Sequence, residues 1–510
     1  MVLTRVCSLW RSVALSSPRL WARLHIPFSD DYLDGVRDEY HTGDAEELKL
    51  KATKVLQLRC NVVEEWLMRS GTCPLDISIH YLDSRRFRDL TALKDHGEGD
   101  LTIQLLRIIF QFKDRLQSLQ LIMHENIYRA KFEVMIPEDG LRMLRTLKTG
   151  LYLHAAAESQ ASSPITLLNS PNLETVAIYT DRWTSNFLPL STLQQLVSLS
   201  VDAVLTIADA FPLLKNCGNL VHCQLIVMDG AHNPDNWLTG VANLPHLKSL
   251  QIFDEDEPAT NPQFMLRFYS AIRAPHMKWL NYQFSGDPKD TIDSTFPILP
   301  LLESANELKK LTLDLAALPD QFIRKALEAV GRSVTHLVFG PEPSGPSRRI
   351  WPLSPPRNFR PTVIGTSGFR LLVIPPPSED PPMHPQDVLM PHLEIFESAV
   401  GSDISDETVL QFIINRMDPA SPTGTAKLKR VRLALSRTKQ TDIAEAVIRY
   451  QESMKMDSSE VHLDITYLPV DSRRRRVDKL SPSCGVSLQD DKTWHHLEIE
   501  QSVSLTLPEG

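Results

Sequence analysis

Residues 245–252 read Pro-His-Leu-Lys-Ser-Leu-Gln-Ile, and residues 275–282 repeat the pattern as Pro-His-Met-Lys-Trp-Leu-Asn-Tyr. Counted from Leu247 or Met277, apolar side chains stand at positions 1, 4 and 6, which predicts a short strand with a buried face. The proline predicts a turn into that strand, because proline restricts φ and the Asn found beside it in other copies tolerates unusual backbone angles. The two stretches therefore predict a repeated strand unit.

The triplet Pro-[Asn/His]-[Leu/Met] occurs four times, at residues 171–173, 245–247, 275–277 and 391–393, and Gly218-Asn219-Leu220 is a variant. Composition predicts about 0.4 such triplets by chance, so the excess indicates true repetition. The apolar three-point pattern is common by chance on its own. It begins at Leu116, Leu173, Leu196, Leu220, Leu247, Met277, Leu308, Val334, Phe369 and Leu428.

The spacing of these units indicates the fold class. From Leu173 to Val334 the starts are 23, 24, 27, 30, 31 and 26 residues apart. This range suits a leucine-rich-repeat-like unit of one strand and one helical or irregular return. The Asn or Cys usual after the strand of such repeats is absent. We therefore predict an α/β fold, an irregular leucine-rich-repeat-like solenoid of parallel strands, preceded by a partial helical module.

Composition excludes several other classes. The chain has 510 residues, 42% hydrophobic and 23% charged, as expected of a globular protein, and its formal net charge of −9 disfavours a nucleic-acid binder. The sequence contains no stretch of 18 apolar residues free of charges, so it predicts no membrane span. The six cysteines form no C-x-x-C pair, so we expect reduced thiols, no bound metal, and an intracellular protein of the cytoplasm or nucleus.

The N-terminus carries a second motif. Apolar residues at Leu3, Val6, Trp10 and Val13 have helical spacing, and Ser17-Pro18 predicts the start of a further short helix. The run Val-Cys-Ser-Leu-Trp-Arg-Ser-Val-Ala at 6–14 and Ser-Pro-Arg-Leu-Trp at 17–21 resembles the second half of an F-box. The resemblance is strongest to the F-box-like proteins abundant in fungi.

The resemblance implies docking on the Skp-type adaptor of a cullin–RING ubiquitin ligase. A whole F-box begins one helix earlier, so we expect either more chain upstream of Met1 or impaired adaptor binding. The Trp and Val stripe equally fits core packing, with Trp10 and Trp21 filling the core of the half-module. The candidate adaptor-binding residues are Val6, Trp10, Arg11, Pro18, Leu20 and Trp21.

The resemblance continues through about residue 125, with a helix at 45–69, a strand at 74–79 and a helix at 101–113. We expect a partial F-box at 1–26, a connecting region at 27–125, the solenoid at 126–340, a proline-rich insertion at 341–385, and further repeats with a tail at 386–510. The insertion holds 13 prolines in 45 residues and suits a loop, or a proline-rich ligand, with a strand at 369–374 inside it.

The C-terminal region predicts helices at 403–417 and 442–454 and strands at 461–468 and 494–499. The four arginines at 473–476 suit either a nuclear-import patch or a solvated loop.

No sequence pattern of an enzyme is present, neither a phosphate-binding glycine loop nor a zinc-protease or hydrolase motif. The adjacent His495 and His496 would point to opposite faces of a strand and could not easily share a metal. The acidic run 254–257 suits an exposed turn, or a site for a cation or a basic partner. We therefore expect no catalysis and no cofactor.

The function predicted is that of a non-catalytic substrate-recognition subunit, tethered by the F-box half and holding a target protein on its strands. An interaction scaffold without a ubiquitin connection is the alternative. Positions 2, 3, 5 and 7 of each unit should face away from the core, and aromatic and cationic side chains commonly anchor interfaces. The predicted target-binding residues are Tyr179, Lys248, Phe253, Lys278, Trp279, Lys309 and Lys310.

Overall fold

A computed structural model describes residues 7–28, 45–81, 101–124, 128, 132–152, 165–180, 183, 187–229, 239–255, 262–284, 296–313, 320–340, 364–374, 388–401, 403–417, 425–435, 437–455 and 461–467. The chain divides into two compact units. The first includes the residues up to Ala203, and the second runs from Val204 to Arg474.

The first unit is a parallel sheet whose strands follow the chain order. Its helices are α1 (Ser8–Leu15), α2 (Ala45–Arg69), α3 (Leu101–Phe110) and α4 (Leu190–Gln195). Short 3-10 turns lie at Pro18–Trp21, Lys113–Arg115, Glu133–Met135 and Thr166–Asn169. Its strands are β1 (Arg23–Phe28), β2 (Leu75–Tyr81), β3 (Leu116–His124), β4 (Thr146–Tyr152), β5 (Thr175–Thr180) and β6 (Ser198–Thr206), which ends just inside the second unit.

The second unit is built in the same way, with parallel strands and helical returns. Its helices are α5 (Ile207–Asn216), α6 (Pro262–Ser270), α7 (Leu299–Ser304), α8 (Asp320–Val330), α9 (Thr366–Arg370), α10 (Asp406–Met417) and α11 (Ile443–Ser453). Its strands are β7 (His222–Met228), β8 (Ala242–Asn243), β9 (Ser249–Asp254), β10 (Ile272–Arg273), β11 (Trp279–Phe284), β12 (Lys310–Leu313), β13 (His336–Phe339), β14 (Ile395–Val400), β15 (Arg430–Leu435) and β16 (His462–Tyr467). Strands β8 and β10 form a separate short pair.

These parallel strands with helical returns confirm the predicted fold class. Strand β9 begins two residues after Leu247, and Leu247, Leu250 and Ile252 are fully buried. The same offset separates Met277 from the start of β11. The apolar residues at position 4 stack in register across neighbouring strands, as Leu250, Leu280 and Leu311 do. A parallel ladder of buried aliphatic side chains is therefore the core of the unit.

Strand β4 was not predicted, because its sequence departs from the apolar pattern. Counted from Leu144, position 4 is Leu147 but position 6 is Thr149, which is fully buried all the same. Strand β4 pairs with β3 and β5 over most of its length. Because β4 pairs on both sides, neighbouring strands supply its backbone hydrogen bonds. A single threonine in the core does not disturb them.

The strand predicted at 369–374 is wrong, because the chain there forms helix α9 and a turn. The amide of Phe369 donates to the carbonyl oxygen of Gly365 at 3.0 Å, a helical bond. The Phe369 ring is fully buried. Its centroid lies 5.3 Å from the ring centroid of Phe412 and 6.0 Å from that of Phe396. A short apolar run has the same composition in a buried helix as in a buried strand, so tertiary contacts decide between them.

The helices predicted at 403–417 and 442–454 are α10 and α11, and the strand predicted at 74–79 is β2. The helix predicted at 45–69 has those bounds, and Gly71 follows it with φ 57°, in the left-handed region that glycine adopts easily. The helix predicted at 101–113 ends at Phe110, and the strand predicted at 461–468 is β16. Residues 341–363, 375–387, 473–476 and 494–499 lie outside the described part of the chain.

Candidate functional site

The F-box-like segment forms helix α1 and the 3-10 turn at Pro18–Trp21. Leu9 is 71% exposed and Val13 is 49% exposed, and they lie four residues apart on one helix face. Leu20 in the following turn is 47% exposed, whereas Ala14 is buried. With Leu15, which is 41% exposed, the segment presents four large apolar side chains to solvent, and we call Leu9, Val13 and Leu20 the N-terminal apolar patch.

The structure separates the residues predicted to bind the adaptor. Arg11, Pro18 and Leu20 are exposed. Val6 lies outside the described residues, and Trp10 is in helix α1 with its side chain outside the description. Neither Leu9 nor Val13 was among the residues predicted to bind the adaptor, because Leu9 lies outside the apolar stripe and Val13, within it, equally fitted core packing.

Trp21 is 4% exposed and is a packing residue, so its ring is not available to a partner. Its indole Nε1 donates a hydrogen bond to the carbonyl oxygen of Ala14 at 2.7 Å. Its ring meets Trp66 of helix α2 edge to face at a centroid distance of 4.7 Å, and the guanidinium of Arg69 lies 4.8 Å from the ring centroid. Trp21 thus fastens the F-box-like segment to the rest of the first unit.

The predicted target-binding residues also separate by exposure. Lys248, Lys278 and Lys309, all at position 2 of their units, are exposed. Trp279 at position 3 is 2% exposed, so its ring is not a free anchor. The half-buried Lys310 covers it, with Nζ 5.2 Å from the ring centroid.

Phe253 is half-buried in the second unit, and Tyr179 is half-buried in the first. At positions 3 and 5, Ser249 and Gln251 are almost fully buried although they lie opposite the aliphatic core. Neighbouring strands lie only about 4.8 Å apart, so side chains on this face cover one another. The position-2 side chains remain accessible because they stand before the first residue of each strand.

The position-2 residues form a regular row along the strand starts, which we call the pre-strand row. In the second unit it consists of Val221, Lys248, Lys278, Lys309, Thr335, Glu394 and Lys429. The backbone carbonyl oxygen of every row residue except Lys429 accepts hydrogen bonds from two backbone amides of the next unit. The carbonyl oxygen of Lys248, for example, accepts from Lys278 at 2.8 Å and from Trp279 at 3.0 Å. The backbone therefore holds consecutive row residues one strand apart.

A charged network lies on the same sheet face toward the C-terminal end. Glu397 Oε1 lies 3.4 Å from His336 Nε2, and Arg432 lies between the two carboxylates, 3.6 Å from Glu397 and 2.9 Å from Asp464. Burial alone would raise the pKa of Glu397, but the hydrogen bond and charge of His336, with Arg432 and Lys310 nearby, hold that pKa below its ordinary value. The two carboxylates thus share Arg432 between them, and His336 adds a further donor beside Glu397.

The acidic run at 254–257 does not form the exposed turn that we expected at its first residue. Asp254 is 3% exposed and accepts hydrogen bonds from the hydroxyls of Tyr282 at 2.9 Å and Tyr269 at 3.4 Å. Burial and the Asp254 carboxylate raise the pKa of Tyr269 well above its ordinary value, so this phenol stays protonated as a donor. Asp254 therefore has a structural role, and residues 256–257 lie outside the description.

Across the described ranges, no three His, Cys, Asp or Glu side chains come together as a metal site. None of the helices described there has both the length and the apolar character needed to cross a bilayer. His495, His496 and Cys484 lie beyond the last described residue, Tyr467.

Neither a protein-family model nor a curated protein matches the chain. Among solved structures, a complex of Rad7 and Elc1 from yeast matches with a TM-score of 0.34 and 13% identity, over 89% of this chain and 94% of that one. A protein from Bacteroides fragilis matches with a TM-score of 0.30 and 12% identity, over 83% of each chain. Likeness at this level establishes neither a family nor an activity.

Proposed function

We propose that this chain is a non-catalytic substrate-recognition subunit of a cullin–RING ubiquitin ligase. The N-terminal apolar patch docks on a Skp-type adaptor, and the strand array of the second unit holds the target protein. The observation that carries the proposal is the exposure of Leu9, Val13 and Leu20 on a segment whose sequence resembles an F-box. Such a receptor raises the effective concentration of its target beside the ligase and needs no active site.

The apolar patch suits a docking role for a physical reason. Apolar surface left in water costs about 25 cal/mol per Å², and exposed apolar side chains that adjoin, as Leu9 and Val13 do on one helix face, commonly mark interaction sites. Trp21 holds the base of the segment on helix α2 through the Trp66 ring and the Ala14 carbonyl. Because the segment is anchored in this way, an adaptor that binds the patch is linked to the whole first unit.

The test is co-precipitation of the purified chain with a Skp-type adaptor. We expect wild type to bind and the double variant Leu9→Glu/Val13→Glu to lose at least 10-fold in affinity. The matched control is Leu58→Glu/Met68→Glu, which places the same charges on helix α2 at side chains that are 63% and 67% exposed. A version extended upstream of Met1 should bind at least as well as this chain. Failure of both versions to bind would exclude the ligase role.

A scaffold without a ubiquitin connection is the second candidate. It is favoured by the second-unit part of the pre-strand row, which does not need the F-box-like segment. Binding of a protein by the second unit's surface, with no adaptor recruitment by either version, would support this candidate.

A further inference from the structure

The pre-strand row neutralises itself at several places. In the first unit Arg145 and Glu174 stand directly before β4 and β5 and form an ion pair at 3.1 Å. In the second unit Glu394 and Lys429 stand before β14 and β15 and form an ion pair at 2.8 Å. Opposite charges on adjacent strands are the arrangement expected to stabilise a sheet.

Lys248, Lys278 and Lys309 break this rule. They occupy three consecutive places of the row, joined by backbone hydrogen bonds of 2.8 Å from each lysine amide to the preceding row carbonyl. Their side chains are exposed, and none is ion-paired with any residue in the described part of the chain. Like-charged side chains on neighbouring strands, which lie about 4.8 Å apart, repel one another, so the row carries a local excess of positive charge in a protein with a net charge of −9.

A shallow groove of about 460 Å³ lies beside Lys248 and Lys278 at the strand starts. Val221 and Pro245 give it an apolar part, while Lys248 and Lys278 supply cationic groups. The one carboxylate among its described lining residues, Glu307, lies 3.0 Å from His276 Nδ1 and forms no ion pair with Lys248, Lys278 or Lys309. The groove thus combines unneutralised ammonium groups with an apolar surface.

We propose that this groove binds an acidic, extended peptide segment of the target protein, whose carboxylates pair with Lys248 and Lys278 in the groove and with Lys309, the next residue of the row. The charge complementarity is direct, because the ligand supplies the anions that Glu174 and Glu394 supply elsewhere in the row. This inference rests on the proposed function only in calling the partner a target, since the groove can be tested without any adaptor.

A peptide fits the groove better than a nucleic acid does. Binding of single strands uses exposed aromatic rings on which bases stack, and the described lining residues include no Trp, Tyr or Phe. The nearest tryptophan in the array, Trp279, is buried beneath Lys310. The apolar Val221 and Pro245 suit the side chains that separate carboxylates in a peptide.

The experiment measures fluorescence anisotropy of a fluorescein-labelled peptide of ten alternating Glu and Leu residues, titrated with the full chain at low salt. Wild type should bind, and added salt should weaken binding because the contacts are ionic. The triple variant Lys248→Gln/Lys278→Gln/Lys309→Gln should lose at least 10-fold in affinity. The control Lys429→Gln, which removes a lysine of the same row that is paired within the protein, should stay within 2-fold of wild type.

Three results would overturn the proposal: no binding of the acidic peptide by wild type, equal binding by wild type and the triple variant, or a preference for a 20-nucleotide dT strand over the peptide. The single variant Lys278→Gln, expected to lose about 3-fold, retains a readout if the triple variant does not fold. Loss of adaptor binding with retained peptide binding would contradict the ligase role alone, and the reverse result would contradict the groove alone.

Discussion

The indole nitrogen of Trp21 lies 2.7 Å from the carbonyl oxygen of Ala14, and this hydrogen bond closes helix α1 against the 3-10 turn that follows it. Both residues are buried, at 4% and 3% exposure, so neither group can turn to water instead. The contact makes the F-box-like segment part of the first unit's core.

Replacing Trp21 with Phe should therefore destabilise the first unit. The aromatic contact with Trp66 is largely kept, but the Ala14 carbonyl loses its buried donor, at a cost of about 1–3 kcal/mol in the free energy of unfolding. Urea unfolding followed by tryptophan fluorescence and circular dichroism measures the loss. Leu20→Ala, in the same turn but exposed, should change stability by less than about 0.5 kcal/mol. Equal stability of Trp21→Phe and wild type would show that the hydrogen bond contributes nothing.

A second prediction concerns the middle lysine of the pre-strand row. Lys278→Glu should stabilise the second unit by a few tenths to about 1 kcal/mol, because it replaces repulsion from Lys248 and Lys309 with two cross-strand attractions. Thermal unfolding at low and high salt checks this, since screening should reduce the gain. The same substitution at Lys429 should lower stability, because it opposes a new carboxylate to Glu394. Shifts of the same sign at both positions would contradict the described register.

Arg416 provides a third prediction. Its guanidinium is buried and donates to the carbonyl oxygens of Leu372 at 3.2 Å, Met390 at 3.1 Å and Leu389 at 3.2 Å. Burial lowers the pKa of Arg416 to about 10, yet the group remains charged at neutral pH. It therefore joins the two short segments on either side of residues 375–387.

Arg416→Met should leave these carbonyl groups without donors and cost at least about 3 kcal/mol, at about 1–3 kcal/mol for each unsatisfied group. Hydrogen exchange followed by mass spectrometry should show that the variant exchanges faster than wild type at 369–374 and 388–393, while exchange in strand β9 is unchanged. Arg370→Met, at an exposed side chain of helix α9, is the control. Unchanged exchange in both segments would show that Arg416 does not hold them.

The last prediction is a pH dependence at Asp406, whose side chain is 1% exposed and forms an ion pair with Arg437. Its Oδ2 also accepts the amides of Gln440 at 2.7 Å and Thr441 at 2.6 Å. Burial would raise the pKa of Asp406, but the Arg437 contact and these amides hold it below the ordinary 3.8. The folded protein thus binds a proton at this site less readily than the unfolded chain does.

The stability that Asp406 contributes is consequently present above pH 3.8 and is lost as the pH falls toward the lower folded pKa. Asp406→Asn should cost about 3–5 kcal/mol at pH 7, because it leaves the Arg437 guanidinium buried without its counter-charge. Urea unfolding at pH 7 and pH 3 should show a smaller difference between variant and wild type at pH 3. A difference that is independent of pH would contradict an ionised Asp406.

Several parts of the fold follow from local sequence. The apolar positions at Leu247, Leu250 and Ile252 predict strand β9, and the triplet with proline predicts where it begins. Strand β4 escaped prediction because Thr149 interrupts the pattern, and burial of a threonine depends on strands β3 and β5 rather than on its own neighbours. Helix α9 escaped prediction because Phe369 packs between Phe396 and Phe412, which are distant in sequence.

The candidate sites divide in the same way. Lys248, Lys278 and Lys309 were identified from their repeat position, since a two-residue period predicts which side chains leave the core. Their lack of partners depends on which residues stand beside them in the row, as the paired Glu394 and Lys429 show. The exposure of Leu9 also could not be predicted, because helical spacing alone does not say which face of a short helix is covered.

Sequence by itself thus determined the repeated strand and its apolar face, because those depend on residues within one unit. Tertiary structure alone decided that Trp21 and Trp279 are buried, that Asp254 binds two tyrosine hydroxyls, and that three lysines adjoin without a counter-charge. The burial of Trp21 arises from its contact with helix α2, whereas the burial of Trp279 and the row of lysines arise from register between strands, which brings together residues about 30 positions apart.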